Sequence, residues 1–233
     1  MVLDKLASGA SRRTLFDPGT RRLAFILCLP LVDGVFATLL VTGAVNTFSQ
    51  MLNVAVTIFT GAGALAVLYS ESENVSEALK MVNSVIPVLF IGVVAVALVA
   101  PVFEHMFNTE LLKYAAGIAI LSISLQILDL EVAKKFPPSA VILTGLVLSF
   151  QGVSRAPLTF EYVAPALTTA GLAIFGLYLA SGLKKYSMEL DYIRYGAFAV
   201  LGIISLSLFG FEVPQNIGVF VFAVSVAVAV RRS

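Results

Sequence analysis

The sequence predicts an all-α fold, a polytopic bundle of eight transmembrane helices, and three observations carry that reading. Of 233 residues, 59% are hydrophobic and 12% charged, with mean hydropathy +0.97. A soluble domain carries about 25% charged residues, so lipid must solvate much of this chain. The apolar residues gather into eight runs, and the charges lie almost entirely between them. The cations also fall on alternate connections. With the N-terminus inside, one side holds Lys5, Arg12, Arg13, Arg21, Arg22, Lys80, Lys134, Lys135, Lys184, Lys185, Arg194, Arg231 and Arg232, and the other only Lys113 and Arg155. That asymmetry obeys the positive-inside rule and predicts a plasma-membrane protein with both termini cytoplasmic.

The runs extend from Leu23 to Ala44, Met51 to Tyr69, Val82 to Phe103, Leu111 to Leu130, Pro137 to Phe150, Phe160 to Ser181, Tyr195 to Phe211 and Val213 to Val230. About 20 apolar residues cross a hydrocarbon core, and most of these runs are that long. Backbone groups exposed to lipid must be satisfied within their own segment, so the runs read as helices. Residues 1–22 form a basic cytoplasmic segment in which Val2, Leu3 and Leu6 make a short apolar face. Phe16-Asp17-Pro18-Gly19 reads as a turn before the first span. Residues 23–230 form the single transmembrane domain and 231–233 the cytoplasmic C-terminus. No extramembrane domain is expected.

The first run carries the only central charge, Asp33, between Pro30 and Gly34. Proline cannot donate to the carbonyl of Ile26 and glycine loosens the next turn, so the helix should kink or break there. An ionised acid at mid-bilayer costs roughly 2.5–3.5 kcal/mol on insertion scales, so it should face the bundle interior and meet a partner or a proton. Carbonyls freed at the break, beside a carboxylate, suit a hard cation or a proton relay. The competing reading is structural, with Asp33 holding a neighbouring helix.

In the second run Asn53, Thr57 and Thr60 recur at near-helical spacing, and Thr57, Gly61 and Gly63 offer a small-residue surface for close helix approach. Pro87 and Pro101 should bend or end the third helix, and Pro165 the sixth. His105, near Glu104 and Glu110, lies in an external loop without the ligand spacing of a metal site. In the fourth run Ser122, Gln126 and Asp129 fall four and three apart on one face; Asp129 sits beside Glu131, Lys134 and Lys135, where an exposed ion pair is the ordinary reading. The fifth run, opened by Pro137-Pro138 and closed at Gln151-Gly152, is short. It reads as a half-helix lining a cavity, or as a span extended by Val153. Gly171 and Gly176 offer close approach in the sixth.

Tyr114 to Val132 can be laid on Tyr195 to Val213 without gaps. The alignment matches Tyr114 with Tyr195, Ala116 with Ala197, Ser124 with Ser205, Leu125 with Leu206, Glu131 with Glu212 and Val132 with Val213. These are the fourth and seventh spans, so repeat units of three helices would have opposite topology.

Other chemistry is unsupported. The net charge is +1 and no basic block is interleaved with aromatics, which argues against nucleic acid. Cys28 has no cysteine to pair with. No catalytic motif occurs and no second deep acid stands opposite Asp33, so neither an enzyme nor a cofactor is expected.

The stretches Leu15-Phe16-Asp17-Pro18-Gly19-Thr20-Arg21-Arg22 and Leu29-Pro30-Leu31-Val32-Asp33-Gly34-Val35-Phe36 resemble the opening of an uncharacterised archaeal multi-pass membrane family seen chiefly in halophiles. The balanced charge, 15 basic against 14 acidic residues, departs from the halophilic pattern. The three-helix repeat and first-span acid are more loosely similar to the superfamily of small exporters that includes the lysine exporters, without the Glu-x-Gly-Asp-Lys motif of its calcium and manganese branch. The expectation is transport of a small cation, coupled to or exchanged for protons. Asp33 is its ion or proton site, Asn53, Thr57 and Gln126 are neutral ligands, Asp129 is a weaker candidate, and Pro30 and Gly34 form the break. The metal, if any, is unknown, homo-oligomerisation is an open alternative, and a non-transporting subunit that packs against a partner membrane protein is the other reading.

Overall fold

A computed structural model describes residues 17–152 and 159–231. The amphipathic tail with Val2, Leu3 and Leu6, and the positions Phe16, Val153, Arg155 and Arg232, lie outside the described residues.

Each apolar run is helical. The first comprises α1 (Pro18–Val32) and α2 (Val35–Val41), and the second α3 (Phe48–Val54), a π-helical stretch Ala55–Phe59 and α4 (Ala62–Glu71). Then follow α5 (Val75–Met106), α6 (Thr109–Ile127), the single turn α7 (Glu131–Lys134), α8 (Pro138–Ser149), α9 (Val163–Leu183), α10 (Leu190–Leu208) and α11 (Gln215–Ala229). A two-residue antiparallel pair, β1 (Ser187–Met188) with β2 (Val230–Arg231), joins the start of α10 to the end of α11.

Capping explains several starts. Asn74 accepts from the amide of Glu77 at 2.9 Å, Asn108 from those of Glu110 and Leu111 at 3.0 and 3.2 Å, and Thr47 with Gln50 forms a capping box. The expected turn at Pro18-Gly19 is instead the first turn of α1, with Asp17 at the N-cap position; proline's fixed φ suits the first helical residue. Pro87 and Pro101 end nothing: α5 runs uninterrupted through both for 32 residues. Pro165 lies in the first turn of α9, where its missing N–H has no helical partner to lose.

Among the described residues four helices, α5, α6, α9 and α10, are long and apolar enough to cross a membrane, and the number rises to as many as six when each bent pair counts as one span. The bends are 46° between α1 and α2 and 51° between residues 48–59 and 63–71. At 12 and 15 residues, α8 and α11 rise only about 18 and 22 Å against a core of about 30 Å. Proline is the cause at their starts, since Pro137 and Pro214 cannot extend the helices backwards. Length alone therefore does not yield eight crossings.

The bundle is built around two helical hairpins. α6 packs on α8, α10 on α11, and α6 on α10. In the first hairpin the Asn108 amide donates to the Ser149 carbonyl (2.7 Å) and Phe107 pairs with Phe150. In the second the Glu189 amide donates to the Ala229 carbonyl (3.0 Å) and Met188 pairs with Val230. Residues of α10 stand 81 positions after their counterparts in α6, and residues of α11 stand 80 after those of α8. Between α6 and α10, Ser124 Oγ donates to the Phe198 carbonyl (3.0 Å) and Ser205 Oγ to the Gly117 carbonyl (2.9 Å). Each bond becomes the other under the same shift, so the two helices run antiparallel about a local two-fold.

The helix crossing inside each hairpin also corresponds. A Cβ on Gly145 of α8 would come 2.3 Å from the Cβ of Ala115 on α6, and one on Gly196 of α10 would come 2.4 Å from Ser225 Oγ on α11. Position 196 is the counterpart of 115, and 225 of 145, so the contact is retained with the glycine on the opposite partner.

Candidate functional site

Asp33 lies where the first span breaks. Its amide still closes the last turn of α1 on the Leu29 carbonyl at 3.0 Å. Gly34 then turns left-handed, with φ +80°, a conformation that costs glycine little and other residues much. The α2 helix restarts at Val35, whose amide donates to Asp33 Oδ1 at 3.1 Å, while Thr38 Oγ1 donates to the Gly34 carbonyl at 2.9 Å. The expected break is real, and it falls three residues beyond Pro30. Pro30 sits inside α1 and removes the donor that the Ile26 carbonyl would otherwise meet. Among the described residues no basic side chain pairs with Asp33.

The second span is interrupted at the same place in the bundle. The Thr60 amide reaches back five residues to the Ala55 carbonyl at 2.9 Å, the widened turn of a π-helix. Gly61 follows, its backbone so close to the Thr57 carbonyl that a Cβ would stand 2.1 Å from that oxygen. Thr57 is buried, and its hydroxyl donates to the Asn53 carbonyl. Its lone pairs stay available to a cation.

Both breaks open onto one cleft of about 320 Å³. Asp33, Pro30 and Thr57 line it with Gly61 and Gly63, and the last turn of α6 closes it through Ile123, Gln126 and Ile127. Pro138 and Ser139, at the start of α8, complete the wall. Gln126 is held by its Nε2, which donates to Ser122 Oγ at 3.3 Å, and Ser122 donates onward to the Phe136 carbonyl. The structure thus brings Asp33, Thr57 and Gln126 together, with both break residues beside them. Among the described residues, no three His, Cys, Asp or Glu side chains gather as a metal cluster. A single carboxylate among neutral oxygens, backbone and carbon suits a singly charged species better than a divalent ion, which takes several hard oxygen ligands.

Two expected ligands stand elsewhere. Asn53 is fully buried against α11, where a Cβ on Gly218 would come 2.9 Å from its Oδ1, and it does not line the cleft. Helical spacing put Asn53 one turn from Thr57 but could not say which neighbour each would face, and the π-turn between them rotates the face. Asp129 has left α6 altogether. It sits past the helix end at φ +56° and pairs with Arg194. It therefore does not share a helical face with Ser122 and Gln126.

Arg194 was legible only as a topology charge. It holds the end of α6, with Nε and Nη2 donating to the Ile127 carbonyl at 3.0 and 2.6 Å, a favourable place for a cation. Of the small residues, Gly176 packs on Thr60, whose hydroxyl donates to the Ala173 carbonyl at 3.0 Å, while a Cβ on Gly171 would meet nothing within 4 Å among the described residues.

The model described as a family of unknown function (DUF5794) matches residues 88–209, more than half of the chain, and the chain belongs to that family. The match runs from the middle of α5 through α10, so it takes in Gln126 and Arg194 and leaves Asp33 and Thr57 outside. No curated protein and no solved structure matches the chain.

Proposed function

We propose that this member of the DUF5794 family is a plasma-membrane transporter of a small, singly charged cation, coupled to or exchanged for protons, with Asp33 as its ion or proton site. One observation carries the reading: a carboxylate with no basic partner among the described residues sits at a helix break, in a cleft onto which a second broken helix also opens. Broken membrane helices supply backbone oxygens and helix ends to bound ions, and an intramembrane acid is costly unless it is used. Thr57 and Gln126 are the neutral partners. The internal correspondence between α6–α8 and α10–α11 supports inverted three-helix units, each opened by a long helix, α5 or α9. The distribution of Lys and Arg supports both termini inside, with the two short hairpin arms reaching most of the way across.

A second reading has its own support. The bond from the Val35 amide makes Asp33 a cap for α2, as expected of a subunit whose acid only shapes the helix. Asparagine can accept the same bond, so Asp33→Asn removes the charge and keeps the cap. Melting of the purified protein across sodium, potassium and proton concentrations separates the two. A ligand that binds the folded state raises the melting temperature, so wild type should respond to one of these ions and Asp33→Asn to none. An unchanged response in Asp33→Asn would remove Asp33 as the site, and no response in either protein would favour the subunit.

A further inference from the structure

The cleft at Asp33 has a counterpart. Its α6 wall is Ile123, Gln126 and Ile127, and the shift that superposes α6 on α10 carries these to Ile204, Ser207 and Leu208. Those three residues line a separate pocket of about 100 Å³ whose other walls are Thr42, Gln50 and Lys113. The correspondence extends to the charges. Arg194 clasps the end of α6 and its counterpart is Lys113, which lines the pocket at the end of α10. It extends to the backbone as well: Asp129 and Gly210, 81 apart, are the left-handed residues that follow the two helices.

Because α6 and α10 run antiparallel, the two openings lie at opposite ends of the bundle. Thirteen residues of α6 separate Lys113 from Gln126, about 20 Å along the axis. One opening is about three times the volume of the other, and Ile204 and Leu208 are buried where their counterparts Ile123 and Ile127 are half-buried.

We propose that the Lys113 pocket is the second vestibule of the cation path, shut in this conformation, and that the path alternates by exchanging the states of the two hairpins. When the α10–α11 end opens as the α6–α8 end is open here, Ser207 comes to line an open vestibule as Gln126 does now, and the wall of Ile123, Gln126 and Ile127 closes over Asp33. The first two spans cross between the two openings, with Asp33 at one end and Thr42 at the other, so their breaks supply the hinge and the charge while the hairpins supply the gates. This assignment rests on the transport reading above.

The test uses the full chain in liposomes with Cys28→Ser, which removes the one native thiol. Gln126→Cys or Ser207→Cys is added, and each is exposed from either face to a membrane-impermeant trimethylammonium methanethiosulfonate. Gln126→Cys should be modified from one face and Ser207→Cys from the other. Moving between acidic and alkaline buffer, with and without sodium or potassium, should raise one rate severalfold while lowering the other. Thr42→Cys reports the same vestibule should Ser207→Cys fail to fold. Modification of both sites from one face, rates that rise and fall together, or a second vestibule closed under every condition would overturn the proposal. Cation flux measured on vesicles carrying Cys28→Ser alone separates the two claims: Asp33-dependent flux without reciprocal labelling would leave the transporter and remove the alternating vestibules, whereas reciprocal labelling without flux would remove transport itself.

Discussion

The two ends of the α6–α10 pair share a scaffold and differ in chemistry. Each has a hairpin closed by the same backbone bond, the same three wall positions, a left-handed residue after the helix and a cation at the helix terminus. One end holds a carboxylate, two broken helices and about 320 Å³ of space; the other holds Lys113 and about 100 Å³. The carboxylate and the two breaks do not arise in the repeated hairpins. They come from α1–α4, which lie outside both and bring Asp33, Gly34, Thr57 and Gly61 to one end only.

The most severe test of this equivalence is the contact inside each hairpin. Gly145→Ser places a side chain against Ala115 and should destabilise the protein by about 1–3 kcal/mol through overpacking. Adding Ala115→Gly recreates the pair found at Gly196 and Ser225 and should recover much of that loss in a melting or denaturant series. A double variant no better than the single one would mean that the crossings are not equivalent. Arg194→Ala removes the clasp on the Ile127 carbonyl. The side chain is partly exposed, so the expected loss is about 1 kcal/mol, together with weaker ion-dependent stabilisation because Gln126 stands on the turn that Arg194 holds. Smallest are Ser124→Ala and Ser205→Ala, each worth about 0.6 kcal/mol. Here equality is the point, since an effect confined to one serine would break the two-fold between α6 and α10.

Much of this arrangement was legible in the residues. Hydropathy located all eight helical runs because lipid leaves few ways to satisfy a backbone, and Pro30 with Gly34 marked the break at Asp33 to within a turn. The identities between Tyr114–Val132 and Tyr195–Val213 pointed to the helices that pack about the local two-fold. The correspondence of α8 with α11 was hidden, because Gly145 matches Ser225 only when its partner changes from alanine to glycine. The π-turn at Ala55–Phe59 has no composition signal, and without it Asn53 falls on the face of Thr57. Asp129 was misplaced for a related reason. A periodic pattern does not announce where a helix ends, and α6 stops two residues short of it.

Cation flux into proteoliposomes carrying wild type, Asp33→Asn or Asp33→Glu tests the central claim most directly. Wild type should transport under an imposed cation or proton gradient, Asp33→Glu should keep part of that rate, and Asp33→Asn, folded and with its α2 cap intact, should fall to the level of empty vesicles. Undiminished transport in Asp33→Asn would contradict the account.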